Sequence, residues 1–119
     1  MRRMCFLPLA ILAAAAPAPA SAEPSPTRPK VRLEYRAPPG CTDEKVLGYV
    51  LRSKLTFDPF DPEAKARLLI TIKRVSGRYA GVAEHQEPGA TKPWVRSFPP
   101  MSSCDEAVDA LVFAIAVHF

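Results

Sequence analysis

The sequence predicts an α+β domain in the order β-α-β-β-β-α, one antiparallel-rich sheet with two helices packed on one face. Three observations carry this. Residues 66–74 alternate, with Leu68, Ile70 and Ile72 on one side and Leu69, Thr71 and Lys73 on the other, the period-two mark of a strand. Runs 78–84 and 92–98 follow after connections too short for a parallel crossover, so the three strands form a meander. Two segments with apolar residues at three- and four-residue spacing, one before the meander and one after it, read as helices with a face to bury.

The chain has 119 residues, with 16 Lys+Arg against 12 Asp+Glu. Its first 22 do not belong to the domain. Arg2 and Arg3 precede a short apolar core over 5–16, and Ala20-Ser21-Ala22 forms a small-x-small end. These are the parts of a secretory signal peptide, cleaved before Glu23. The core is shorter than the roughly 20 residues that a membrane-spanning helix needs. An uncleaved anchor is the alternative. Without residues 1–22 the chain keeps 97 residues, 14 basic and 12 acidic, so the formal charge falls from +4 to +2. That balance is ordinary for an exported domain and gives no argument for nucleic acid.

Residues 23–29 contain Pro24, Pro26 and Pro29 and read as an extended, polyproline-like tether to a single domain over 30–119. In the first strand, 30–37, Val31, Leu33 and Tyr35 face one way and Arg32, Glu34 and Arg36 the other. Pro38-Pro39-Gly40 stops it. Thr42 is the expected cap of the first helix, with Asp43 and Glu44 at its positive end. Val46, Leu47, Val50, Leu51 and Leu55 form its buried stripe. Asp58-Pro59 and Asp61-Pro62 mark a turn region whose Phe57 and Phe60 plug the end of the core. Ser76-Gly77 makes a tight hairpin turn, and Gly81 reads as a bulge in the next strand. Glu87-Pro88-Gly89-Ala90 turns the chain again, and Pro93 marks a strand start or an exposed edge. The last helix opens on the capping box Ser103-Cys104-Asp105-Glu106 and buries Val108, Leu111, Val112, Ile115 and Phe119.

Cys5 leaves with the signal, so two cysteines remain, Cys41 and Cys104, each at a helix start. An even pair in an exported chain reads as one disulfide, which forms if the two helix starts lie side by side. The rival is a pair of thiols activated by helix N-termini, but redox enzymes usually space theirs as C-x-x-C. A zinc site is the third reading, against the absence of close ligand spacing between the cysteines and histidines.

The run Val31-x-Leu33-x-Tyr35-x-Ala37-Pro38-x-Gly40-Cys41, a helix, a meander and then Ser103-Cys104-Asp105-Glu106-Ala107-Val108 resemble small exported two-cysteine proteins of myxobacteria and related Gram-negative bacteria. The likeness spans residues 31–116, implies paired cysteines at the two helix starts, here Cys41 and Cys104, and brings no activity with it. In that group the module often begins a longer chain, whereas this one stops after its second helix. The element order, with Lys54-Leu55-Thr56-Phe57-Asp58-Pro59, is also similar to the N-terminal domain of the periplasmic TolB proteins.

Catalytic patterns are scarce. His85 falls in the expected turn 84–87 and His118 is penultimate, neither within an H-x-x-x-H pair. Asp58 and Asp61, each before a proline, are turn formers. No nucleophile elbow, phosphate loop or dinucleotide fingerprint occurs. No catalytic residue, metal or cofactor is therefore assigned. Basic residues do accumulate along the strands. Arg32, Arg36, Lys73, Arg78 and Arg96, with Trp94 interleaved, are the candidate binding surface on the sheet face opposite the helices. The plainer account is a solvated face balanced by Glu34 and Glu84. The expected function is a non-catalytic periplasmic or extracellular domain that binds a protein or an anionic envelope component. The alternatives are a structural module without its own ligand and, third, a thiol-based or hydrolytic enzyme.

Overall fold

The computed structural model describes residues 30–119; the expected signal (1–22) and tether (23–29) lie outside the described residues. Strand β1 (Arg32–Arg36), helix α1 (Glu44–Leu55), strands β2 (Arg67–Val75), β3 (Arg78–Gln86) and β4 (Trp94–Ser97), and helix α2 (Cys104–His118) follow in the expected order. The sheet order is β1-β2-β3-β4. β1 pairs parallel with β2, with α1 as the crossover such pairing requires. The pairs β2–β3 and β3–β4 are antiparallel, so the meander stands as read.

Alternation sets the two faces. Leu68, Ile70 and Ile72 of β2 and Ala83 of β3 are buried beneath Leu47 and Leu51 of α1 and Val108, Leu111 and Ile115 of α2. Full burial of one such side chain stabilises the fold by about 1.5–3 kcal/mol, so this single layer between sheet and helices is the main source of stability. Cys41 and Cys104 are joined, with Cα atoms 5.6 Å apart, tying the lead of α1 to the first residue of α2. No helix among the described residues is long and apolar enough to cross a membrane.

Local structure departs from the sequence reading at several points. The cap of α1 is Asp43, whose carboxylate accepts the Val46 N–H at 2.9 Å, and Thr42 lies one residue outside. Val46 is half exposed, because the stripe that α1 buries runs through Leu47, Gly48, Leu51 and Leu55. In the capping box Ser103 accepts the Glu106 N–H, but the Glu106 carboxylate turns to the Ser102 hydroxyl at 3.0 Å. Phe60 packs against the core. Asp58 and Asp61 each accept the N–H two residues on, from Phe60 and Glu63, closing two successive Asx turns. Ser76 and Gly77 both have positive φ, 49° and 76°, as a two-residue hairpin turn requires.

Gly81 makes no bulge. The register runs unbroken through Ile72↔Gly81, and the glycine serves helix approach instead. A Cβ built there would stand 2.8 Å from Leu111 Cδ1 and 3.2 Å from its Cγ. The bulge lies on the other strand. Phe98 N–H bonds Gly81 O, and Tyr79 and Met101 exchange two bonds of 2.8 Å, so three residues of that segment span two of β3. Pro99 and Pro100 occupy the interval, where no ladder N–H is needed.

Candidate functional site

The sheet face away from the helices carries Arg32, Glu34 and Arg36 of β1, Arg67, Leu69, Thr71, Lys73 and Val75 of β2, and Arg78, Ala80, Val82 and Glu84 of β3. Its lower end is internally neutralised. Glu34 takes Arg32 at 3.3 Å and Arg67 at 3.4 Å; Arg67 also donates to Gln86 at 2.9 Å, and Gln86 donates to Glu84 at 3.4 Å. Exposed pairs of this kind contribute about 0–1 kcal/mol each, so their effect is mainly on charge distribution. The upper end differs. Arg36, Lys73 and Arg78 are exposed and join no ion pair among the described residues. Lys73 and Glu84 line a shallow depression of about 210 Å³ together with Thr71, Val75, Ala80 and Val82.

Trp94 and Arg96 do not join that surface. Their register partners are His85 and Ala83, which face the helices, so both side chains stand at the helix side of β4. Tyr79 lies on that side too, opposite Arg74, whose guanidinium is 5.8 Å from its ring centre. The candidate surface therefore divides: Arg32, Arg36, Lys73 and Arg78 share the open face, and Trp94 and Arg96 border a separate groove of about 500 Å³ between β4 and α2. Phe113 and Val117, 72% and 73% exposed, form its apolar wall.

A histidine pair missing from the sequence reading sits at the end of this groove. β3 continues through Gln86, so His85 is no turn residue; it points between sheet and α2 and is 8% exposed. Its Nδ1 lies 2.8 Å from Nε2 of His118, so one ring N–H donates to the other ring's nitrogen. The Glu87 carboxylate is 2.7 Å from His85 Nε2, close enough for an ion pair yet not aligned as a hydrogen bond. Trp94 stacks on His118 at 3.9 Å, and Phe119 stacks on His85 at 4.9 Å. Burial, then His85 and Arg96, lower the pKa of His118, with Glu87 acting in the opposite sense. The neutral ring is therefore the folded form, and the unfolded chain takes up a proton first. Stability is expected to be level above about pH 6.5 and to fall as pH drops below it. Urea midpoints from pH 8 to pH 5 measure this; His118→Phe, which can keep the stack on Trp94, should flatten the slope. A slope unchanged in His118→Phe would assign the effect elsewhere.

At the opposite sheet edge, Asp58 organises the loop outside β1. Its carboxylate accepts the Phe60 N–H at 3.0 Å and Arg52 Nε at 3.1 Å, and its carbonyl accepts Lys30 Nζ at 2.6 Å. The Phe60 bond first, then Arg52 and Lys30, hold its pKa below the usual carboxylate value. Arg52 also lies over Phe60, 5.2 Å from its ring centre. Beside this loop a cavity of about 330 Å³ opens between Leu33, Gly48, Phe60 and Pro62.

No group of three or more His, Cys, Asp or Glu side chains suited to a metal ion occurs among the described residues. Both cysteines are consumed by the disulfide, which sets aside the free-thiol and zinc readings of that pair. The bridge is consistent with an oxidising compartment. No protein-family model matches the chain, and comparison with curated proteins gives no significant match.

Proposed function

We propose that this chain is a non-catalytic exported domain that binds an anionic component of the bacterial envelope through the upper half of its open sheet face. The observation that carries the reading is the division of that face. Glu34 and Glu84 are tied into the lower network, whereas Arg36, Lys73 and Arg78 join no ion pair among the described residues, and Lys73 lines a largely apolar depression that Glu84 also reaches. Guanidinium and ammonium groups so placed suit phosphate or carboxylate groups. The bridged cysteines and the signal-like N-terminal sequence support a location outside the cytoplasm.

The test is sedimentation with phosphatidylglycerol vesicles and capture on immobilised lipopolysaccharide, with the acidic face of an envelope protein sought by crosslinking. Each cation near an anionic surface is worth about 1 kcal/mol, or roughly fivefold. Lys73→Ala with Arg78→Ala should therefore weaken binding about 25-fold, and added salt should weaken the unsubstituted protein in the same direction. Binding that ignores both salt and the substitutions would sink this reading, and no binding to any of these partners would favour a structural module.

A further inference from the structure

We infer that the outer edge of β1 is a second docking site, adjoining the first at Arg36, one that takes an extended segment of another protein as a fifth strand. The chain itself begins this addition. Val31 N–H bonds Pro59 O at 2.8 Å and Asp61 N–H bonds Val31 O at 2.9 Å, so Phe60 sits beside Val31 as a one-residue parallel strand. Pro62 follows Asp61, and the segment goes no further along the edge. Arg32 N–H points the other way, to Ala66 O. By strand alternation Leu33 and Tyr35 then turn their N–H and C=O groups outward, with no strand alongside among the described residues.

The surroundings define the guest. A residue added opposite Leu33 has its side chain on the helix side, over the cavity of about 330 Å³ beside Gly48 and Phe60. Gly48 is buried in α1, and a Cβ placed there meets only Arg52, at 3.5 Å, so the missing side chain leaves this space. Charged side chains of Glu44, Lys45 and Arg52 line it beside the apolar ones of Leu33 and Phe60, so the cavity suits one large side chain with an apolar body. On the open face the added strand runs beside Arg32, Glu34 and Arg36. Glu34 already holds Arg32 and Arg67, leaving Arg36 for an acidic residue of the guest. Leu33 and Arg36 are three positions apart on opposite faces, so the guest carries an apolar and an acidic residue at the same spacing. A second copy fits less well. Antiparallel self-pairing that uses both open positions, Leu33 opposite Tyr35, would set Glu34 against Glu34 and Arg32 against Arg36. Main-chain bonds along the edge with one pocket for a side chain is a recurrent mode of peptide recognition.

Selection of a random dodecapeptide library on the folded protein tests this. Selected peptides should share an apolar and an acidic residue three apart, and should slow amide exchange at Leu33 and Tyr35. Gly48→Leu, which fills the cavity and favours the helix, should weaken the selected peptide at least tenfold. Arg36→Glu should switch the acidic preference to a basic one. Lys73→Ala with Arg78→Ala should leave peptide binding intact, and Gly48→Leu should leave vesicle binding intact, so either site can fail without the other. Peptides lacking this spacing, protection that maps to the groove beside Phe113, or concentration-dependent dimerisation through β1 would each overturn the inference.

Discussion

Replacing Cys41 and Cys104 together with serine is expected to lower stability by about 4 kcal/mol. The bridge joins residues 63 apart, and in the chain-entropy view a loop of that length restricts the unfolded chain by about this amount. Small domains have a total stability of about 5–15 kcal/mol, so the substituted protein would be close to its unfolding threshold. Most of the effect should also appear in the unsubstituted protein under reductant, since both routes free the same loop. Guanidinium unfolding with and without reductant measures it. A loss below about 1 kcal/mol would mean that the packed layer, and not the crosslink, holds α1 and α2 together. The buried position of Cys104, 8% exposed, adds a packing contribution that serine does not replace.

The second large effect lies where α2 crosses β3. Leu111 is fully buried, and truncation to alanine should cost about 3–4 kcal/mol, from lost transfer energy and the cavity left behind. Gly81→Ala alone should cost about 1–3 kcal/mol, because its methyl group would stand 2.8 and 3.2 Å from Leu111 atoms and force the fully buried leucine to shift. The two together should cost less than the sum by about 1–2 kcal/mol, since the new methyl enters the space that Leu111 vacates. Strict additivity in urea unfolding would show that the close approach does not determine how α2 sits on the sheet.

Much of this architecture is readable from residue spacing alone, and the failures share a physical reason. Leu68, Ile70 and Ile72 alternate so regularly that β2 has one sensible orientation, and the same parity correctly puts Arg32, Arg36, Lys73 and Arg78 on the opposite face. Ser103, three residues before Glu106, marks the start of α2. Parity fails where the end of a strand is misjudged. With β3 ended at Glu84, His85 becomes a polar turn residue; with β3 extended to Gln86, Gly81, Ala83 and His85 form one inward row. Trp94 and Arg96 follow from that row, because their side is set by pairing with His85 and Ala83 and not by their own composition. Gly81 is ambiguous by nature: a missing side chain serves a bulge and a close helix contact equally, and Leu111 is 30 residues away in sequence. The placement of β1 beside β2, which leaves its outer edge open, also depends on long-range pairing that local patterns do not encode.

The bridge between the first and last helices has a further consequence, for survival after proteolytic cleavage. The exposed turns at Ser76-Gly77 and over 87–93 both lie inside the span that Cys41 and Cys104 enclose. A protease that cuts either turn once divides the polypeptide without separating its pieces. The nicked molecule remains one covalent body, with α1 and α2 still held over β2 and β3. Such damage would leave its mass on a non-reducing gel almost unchanged and would split it into two bands only after reduction.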